Sequence, residues 1–327
     1  MCCAARSPCP TRCACARLAP DTKKSPPAMS SVFDDFLYAP EVLDSFGAQR
    51  FVAAMLRVEA ALAQAQADQG LIPAEAAVSI VGTCKVELFD APKIVRDSAA
   101  TGSLAQPLVK SLRETVGLFN PAAVPFVHFG CTKQDLVDTT MALMTRQVLA
   151  VTRGYVQDCV DHLERKANKP TAAAPLKRAL QRLAHSSADA LAVQLGGTMA
   201  SLGTPGAAIQ NQVAKTLELG VPAFPWDTQR DAWLALGCDV ALLVGSLGTL
   251  ARTMVRDAEQ EEPAAGCLVA LAMARRAPQR AAGLLTSMPH AHERGLGFWQ
   301  ADQSDWTQLL MAAHAASWGM AQTLQKK

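Results

Sequence analysis

The chain has 327 residues, enough for one large domain or two to three smaller ones, each with a sizeable core. Half of the residues are hydrophobic but only 5% are aromatic, and the many alanines and leucines favour helices over sheets. We therefore predict an all-α protein. The formal net charge is +2, but residues 1–28 hold five basic residues and one acidic residue, a net of +4, so the remaining chain carries −2. This balance argues against nucleic acid as a partner.

Residues 1–28 differ in composition from the rest of the chain. They contain five of the ten cysteines and five prolines. The spacing Cys9-x3-Cys13-x-Cys15 has no paired Cys-x-x-Cys units and no nearby histidine, so we do not expect a zinc site there. We predict a disordered N-terminal extension, with Met29 as an alternative start of translation. The other five cysteines occur singly, which is typical of buried thiols in a reducing cytosol and predicts a cytoplasmic protein.

From residue 30 onward, apolar residues recur at three- and four-residue steps between Gly and Pro breaks, which is the pattern of helices. The first predicted helix contains Phe51 and ends at Gly70. The longest predicted helix, at about 133–166, suits a helical bundle. The others cover about 74–83, 93–100, Pro107 to Val116, a short helix after Pro170, 232–251, 266–284 and 302–324.

The segment 232–251 is apolar on every face except at Asp239. Its length could span a membrane, but the central aspartate and the polar residues 229–231 in front of it argue otherwise. A helix that is apolar all round in a soluble chain is buried on all sides. We therefore predict a core helix with no membrane association, and self-association of the chain through this surface.

The residues that carry most chemical information lie at 127–139 and read Val-His-Phe-Gly-Cys-Thr-Lys-Gln-Asp-Leu-Val-Asp-Thr. They stand at the start of the longest predicted helix. Gly130 permits close approach of the backbone, and Thr132 can cap the helix. The free N–H groups of the first turn, together with the helix dipole, favour a bound anion. A carboxylate is the expected ligand.

This segment resembles the first signature region of the fumarase/aspartase superfamily, in the form His-x-Gly-x-Thr-Ser-Gln-Asp-x-x-Asp-Thr of the 3-carboxy-cis,cis-muconate cycloisomerases and the adenylosuccinate lyases. Lys133 stands where those families have serine. The run from Met55 to Ala63 is similar to the opening helix of the cycloisomerases. Two further blocks, at 226–231 and 292–301, favour the cycloisomerase branch over adenylosuccinate lyase.

The resemblance implies a long-helix bundle with smaller helical end domains. It divides the chain into an N-terminal helical domain at 29–131, a shortened central bundle at 132–257 and a C-terminal helical region at 258–327. It also implies a homotetramer that uses no metal or organic cofactor. The reaction of the family is the attack of one carboxylate of 3-carboxy-cis,cis-muconate on its own diene, which gives a muconolactone in protocatechuate (β-ketoadipate) catabolism. The expected substrate contacts are His128, Thr132, Gln134, Asp135, Gln229 and Arg294.

Two active-site regions of the family have no counterpart in this chain. The Arg-Thr-x-x-Gln-His block, which would supply a general-base histidine, should follow Pro170, where the chain runs on into alanines. The Gly-Ser-Ser-x-Met-Pro-x-Lys-x-Asn loop, which would supply the catalytic serine, should lie near 262–266. The catalytic residues are therefore unknown, and we expect a small polycarboxylate to be bound but turned over poorly. A non-catalytic helical paralogue that serves in assembly, and an adenylosuccinate lyase-like enzyme, remain alternatives.

Overall fold

The structure, a computed structural model, describes residues 36–197, 203–258, 262–288 and 297–326. Within these ranges the chain is helical, and it contains no β-structure apart from one isolated bridge between Ala192 and Gly220. The prediction of an all-α protein is confirmed. The extension at 1–28, predicted to be disordered, and Arg294 lie outside the described residues.

The α-helices of the described ranges follow one another along the chain. They are α1 (Pro40–Ser45), α2 (Ala48–Asp68), α3 (Ala74–Thr83), α4 (Ala91–Asp97), α5 (Ala105–Phe119), α6 (Lys133–Asp161), α7 (Pro170–Ala190), α8 (Thr204–Leu217), α9 (Asp231–Asp257), α10 (Ala265–Thr286) and α11 (Phe298–Gln325). A π-helical turn, His162–Lys166, follows α6.

Most predicted helices are present, but three expectations differ from the structure. The stretch 93–100 is α-helical only to Asp97 and then continues as a 3₁₀ turn. The helix after Pro170 is not short, because α7 has 21 residues and buries a regular apolar stripe along them. Helix α8 was not predicted, although its buried residues include an apolar series at four-residue steps, Ile209, Val213 and Leu217.

Helices α6, α7, α9, α10 and α11 pack against one another as a bundle. Glycines allow two of these contacts to be close. A Cβ on Gly248 of α9 would lie 2.4 Å from the Cβ of Ala274 of α10, and a Cβ on Gly266 of α10 would lie 2.0 Å from the carbonyl oxygen of Gly319 of α11. A larger residue at either glycine would therefore push two helices apart.

Helix α9 is long and apolar enough to cross a membrane by length and composition, but 56% of its most apolar window is buried inside the fold. It packs against α7, α10 and α11. Its acidic residue Asp239 accepts a hydrogen bond from Nε of Arg182 in α7, at 3.2 Å. Leu242 is 54% exposed. One chain therefore buries much of this helix but leaves Leu242 open, and the self-association expected through this surface stays a prediction.

Helices α2 and α5, which precede the bundle along the chain, both pack against α6. Helix α2 packs against α3, α6 and α8, and α5 packs against α3, α4 and α6. At the other end of the chain, α10 and α11 pack directly against the bundle helices. The domain limits expected from the sequence, 29–131, 132–257 and 258–327, stay a prediction.

Candidate functional site

A capping box begins α6. The Oγ1 atom of Thr132 accepts a hydrogen bond from the backbone N–H of Asp135 at 3.0 Å, and Oδ2 of Asp135 accepts one from the backbone N–H of Thr132 at 2.8 Å. Each side chain thus satisfies a backbone donor that the helix start leaves open. The cap predicted at Thr132 is confirmed, and it fixes where the helix begins relative to residues 127–131.

The carboxylate of Asp135 also holds the segment that precedes α8. Its Oδ1 accepts from the backbone N–H of Gly196 at 2.9 Å and from Nε2 of Gln194 at 3.3 Å, and its Oδ2 accepts from the backbone N–H of Gly197 at 3.2 Å. Burial raises the pKa of Asp135, and these hydrogen bonds oppose that rise. The hydrogen-bonding capacity of this carboxylate is therefore used inside the protein.

Gln134 belongs to a buried polar network one turn into α6. Its Nε2 donates to Oδ2 of Asp138 at 3.2 Å and to the backbone carbonyl of Asp227 at 3.1 Å. Asp138 also accepts from Nη1 of Arg230 at 2.8 Å and from Nε1 of Trp299 at 3.0 Å. The Arg230 and Asp138 side chains are only 4% and 3% exposed. This network joins α6 to the start of α9 and to the start of α11.

His128 lies just before the capping box and has a left-handed backbone, with φ of 58°. A residue other than glycine costs on the order of 1–3 kcal/mol there, and such strain is concentrated at functional sites. Its Nδ1 lies 2.5 Å from Oε1 of Glu59 in α2, and the two side chains are 9% and 1% exposed. Burial alone lowers the pKa of His128, but the charge of Glu59 and its hydrogen bond outweigh burial and raise that pKa above its ordinary value. The pair therefore favours the imidazolium form of His128.

His128 lines a cavity of about 480 Å³ between α5 and the start of α6, here called the basic cavity. Besides His128, it is lined by three cationic side chains and one anionic side chain, so it has an excess of positive charge. Such a cavity suits a ligand with several carboxylates, because each can meet a separate cation. The polar lining consists of Gln106, Lys110, Arg113, Glu114, His128 and Lys133.

Two hydrogen bonds hold cationic side chains in the wall of the basic cavity. Nζ of Lys133 donates to Oε1 of Gln106 at 2.5 Å, which links α6 to α5. Nη2 of Arg113 donates to the backbone carbonyl of Val127 at 3.2 Å, next to His128. The first bond therefore ties Lys133 to α5, and the second ties Arg113 to the segment that carries His128.

The structure does not gather all the residues that the sequence suggested as substrate contacts. Of those in the described ranges, His128 lines the basic cavity. Gln229 is exposed and lines a separate cavity of about 200 Å³ beside Trp226 and Trp233. Arg294 lies outside the described residues. The remaining three are the cap of α6 and two residues of its first turn, with their polar groups bonded within the protein, namely Thr132, Gln134 and Asp135.

Sequence reasoning missed three contributors to this region. Glu59 stands inside the run that resembles the opening helix of the cycloisomerases, but nothing in that run indicates a partner 69 residues away. Lys110 and Arg113 are three positions apart on α5, a spacing that places both on one helix face. That spacing was the available signal for a basic wall.

The far end of α6 shows how the chain passes the position of the absent histidine block. The π-helical turn is closed by a hydrogen bond from the backbone N–H of Ala167 to the carbonyl of His162, at 3.0 Å, and α7 begins at Pro170. His162 lines a cavity at this end. Because α6 has 29 residues, that end lies about 40 Å from the capping box, at 1.5 Å per residue. His162 therefore cannot serve the basic cavity of its own chain.

Within the part of the chain that the structure describes, no group of three or more His, Cys, Asp and Glu side chains could hold a metal ion.

Comparison with known proteins gives consistent relatives. A family model described as "Lyase" matches residues 37–173. The 3-carboxy-cis,cis-muconate cycloisomerase of Pseudomonas aeruginosa is 32% identical over an alignment of 321 residues. The alignment covers 84% of this chain and 70% of that enzyme. The crystal structure of the corresponding cycloisomerase from Acinetobacter calcoaceticus superimposes with a TM-score of 0.85 at 27% identity and covers 90% of this chain and 77% of that one.

A second solved structure, the 3-carboxy-cis,cis-muconate lactonizing enzyme of Pseudomonas putida, gives a TM-score of 0.83 at 28% identity, over 89% of this chain and 75% of that one. The similarity in sequence and the similarity in fold thus point to the same group of enzymes. The match to the family model, at residues 37–173, includes α2, the capping box and α6. Since the 32% identity extends over 70% of the P. aeruginosa enzyme, the chain belongs to the fumarate lyase superfamily, in the family of the 3-carboxy-cis,cis-muconate cycloisomerases.

Proposed function

We propose that this chain binds a small polycarboxylate in the basic cavity and acts on it as a 3-carboxy-cis,cis-muconate cycloisomerase-like protein. The observation that carries the proposal is the pair formed by His128 and Glu59, in which Glu59 raises the pKa of an imidazole that lines the same cavity as three cations. The relatives named above act on, or are named for, 3-carboxy-cis,cis-muconate, which carries three carboxylates. The positive charge of the basic cavity therefore matches the negative charge of this ligand.

The reaction proposed for this cavity is an internal addition. One carboxylate oxygen of the substrate forms a bond to a diene carbon, and the electron pair of the broken π bond moves toward the carbon beside another carboxylate. The negative charge that develops there needs fixed donors, and the carbon must then take up a proton. Glu59 occupies Nδ1 of His128, which makes Nε2 the ring nitrogen that can donate to the substrate. The lysines and the arginine of the cavity would hold the remaining carboxylates.

The other residues expected from the sequence take different parts in this proposal. Asp135, with its oxygens bonded to backbone N–H groups, would shape the site, and Thr132 would cap the helix. Gln134 would act through its network around Asp138. Arg294 would contribute a carboxylate contact from the block at 292–301, and Gln229 would contact a ligand only from its separate cavity.

We further propose that turnover is impaired while binding is kept. The connection from α6 to α7 leaves no room for the histidine block, and α10 begins at Ala265, inside the stretch where the serine loop was expected. Loss of a general base alone lowers a rate by about 10²–10⁴-fold. Loss of an oxyanion donor lowers it by about 10²–10³-fold more. The same absences favour the second candidate function, a non-catalytic paralogue that assembles through its bundle helices.

The setting that follows from this proposal is a cytoplasmic homotetramer in protocatechuate catabolism, assembled through α6 and α9. The partly open apolar face of α9 supports association of several copies, because an exposed leucine there gains from burial.

The test combines an activity assay with a binding assay on the full chain. Loss of diene absorbance on adding 3-carboxy-cis,cis-muconate reports lactonisation, and a thermal-shift titration with the same compound reports binding. We expect protection against unfolding together with a rate far below that of the P. aeruginosa relative. His128→Gln should remove most of the protection, whereas His185→Gln, at an exposed position, should leave it unchanged. Full-rate turnover would refute impairment, and no protection by the compound would favour the non-catalytic alternative.

A further inference from the structure

Lys133 is the residue at which this chain departs from the signature region that it otherwise matches. It is the first residue of α6, next to the capping residue Thr132. Its ammonium group lies 2.5 Å from Oε1 of Gln106 on α5, and both residues line the basic cavity. The departure therefore adds a positive charge to the wall of the proposed ligand site.

The charges of the basic cavity come from two sides. Helix α5 contributes Lys110 and Arg113, with Glu114 as the one acidic group in the lining. The start of α6 contributes Lys133, and His128 stands beside it with its charge balanced by Glu59. With serine at 133, the cations outside the His128 pair would all stand on α5. Lysine gives the cavity a cation on the opposite side.

A ligand with two carboxylates can be held by α5 and His128 alone. A third carboxylate needs a further donor, and the hydrogen bond to Gln106 keeps the Lys133 ammonium at the cavity instead of in bulk solvent. Gln106 is uncharged, so it orients the ammonium group without neutralising it.

We infer that Lys133 is a specificity-determining residue, which binds one carboxylate of the ligand so that the basic cavity prefers a tricarboxylate to the matching dicarboxylate. The inference rests on the proposed function, since it assumes that the basic cavity is the polycarboxylate site. On this inference, the lysine that replaces the family's serine adds a contact to the ligand.

The experiment is isothermal titration of the full chain with two matched probes, propane-1,2,3-tricarboxylate and glutarate, which differ only in the central carboxylate. The variants are Lys133→Ser, which restores the family residue, Lys133→Arg, which keeps the charge, and Lys215→Ser, a control at an exposed lysine on α8. Serine is well tolerated at a helix start, and thermal melts check that each variant is folded.

We expect the unmodified chain and Lys215→Ser to bind the tricarboxylate about tenfold more tightly than glutarate, since a charge-assisted hydrogen bond is worth about one factor of ten. Lys133→Ser should bind both probes with nearly equal affinity, and Lys133→Arg should keep most of the preference. Raising the salt concentration should reduce the preference for the tricarboxylate over glutarate, because salt screens cations that lie near solvent.

Two results would overturn the inference, and they are distinguishable. A full preference for the tricarboxylate in Lys133→Ser, with binding otherwise intact, would refute the role of Lys133 and leave the proposed function standing. Failure of the unmodified chain to bind either probe would refute the polycarboxylate site itself and the inference with it.

Discussion

Oε1 of Glu59 lies 2.5 Å from Nδ1 of His128 and joins the middle of α2 to the turn before α6 across 69 residues of sequence. Both side chains are withdrawn from solvent, at 1% and 9% exposure. Such a pair is weak as a source of stability, because desolvation offsets the attraction. Its effect on protonation is larger, since Glu59 raises the pKa of a histidine at the wall of the basic cavity that burial alone would lower.

Glu59→Gln should lower the pKa of His128, because the variant keeps a hydrogen-bonding side chain but removes the charge that outweighs burial. The imidazole carbon and nitrogen shifts of His128 in NMR, titrated from about pH 5 to 9, measure this directly. Glu75→Gln, at an exposed position on α3, is the matched control. An unchanged His128 titration in Glu59→Gln would show that the carboxylate does not set the charge of the ring.

The same substitution makes a prediction about stability. The folded pKa of His128 is raised, so the pair stabilises the fold fully below the unfolded pKa of histidine, about 6.5, and this contribution is lost as pH rises through the folded pKa. The unfolding free energy of Glu59→Gln should thus fall by about 1–3 kcal/mol at the acid end. The difference from the unmodified chain should shrink toward high pH. A difference that grows with pH would contradict the assignment.

Gly197→Ala should destabilise the turn at the start of α6. A Cβ at Gly197 would lie 2.6 Å from Cγ2 of Thr132 and 3.1 Å from Oδ2 of Asp135, and both atoms are fixed by the capping box. Relief needs backbone movement, so we expect a loss of about 1–3 kcal/mol in urea unfolding. Gly154→Ala is the control, because a Cβ there meets nothing within 4 Å on the exposed face of α6.

For the control, replacing a helical glycine by alanine should stabilise the chain by roughly 0.5–1 kcal/mol. The two glycine variants should therefore change the free energy of unfolding in opposite directions. If Gly197→Ala is as stable as the unmodified chain, the contact between the capping box and residues 196–197 is looser than the structure shows.

Local patterns predicted much of this arrangement, and long-range contacts account for the rest. Thr132 as a helix cap follows from residues three positions apart, and the structure has that cap. The connection of Glu59 to His128 depends on how α2 packs beside α6, which no local pattern encodes. The same holds for Asp138, whose partners Arg230 and Trp299 come from two other helices. Family resemblance placed Gln229 and His128 in one set, but packing puts them in different cavities.

Arg230→Met should be strongly destabilising, because it leaves the carboxylate of Asp138 buried without its cation. Removing one partner of a buried ion pair costs about 3–5 kcal/mol. The double variant Arg230→Met with Asp138→Asn should recover part of this loss, since no uncompensated charge remains. The midpoint of urea unfolding at constant slope measures both effects.

The matched control is Arg256→Met at the end of α9. Arg256 contacts Asp257 at 3.3 Å, but its side chain is 76% exposed. Exposed pairs contribute about 0–1 kcal/mol, so this variant should be nearly neutral. Equal losses for Arg230→Met and Arg256→Met would mean that burial of the Asp138 pair does not determine its energetic weight.

Leu242→Glu should weaken self-association. Leu242 is 54% exposed on α9 within one chain, on a helix whose remaining apolar surface packs against α7, α10 and α11. If copies associate through this face, burial of the leucine stabilises the assembly, and a carboxylate in its place must be desolvated at a cost of several kcal/mol. Static light scattering at micromolar concentration should show a multiple of 34.6 kDa for the unmodified chain and a smaller mass for the variant.

Val78→Glu, at a valine that is 70% exposed on α3, is the matched control and should keep the mass of the unmodified chain. A monomeric unmodified chain, or equal dissociation of both variants, would exclude α9 as the assembly surface.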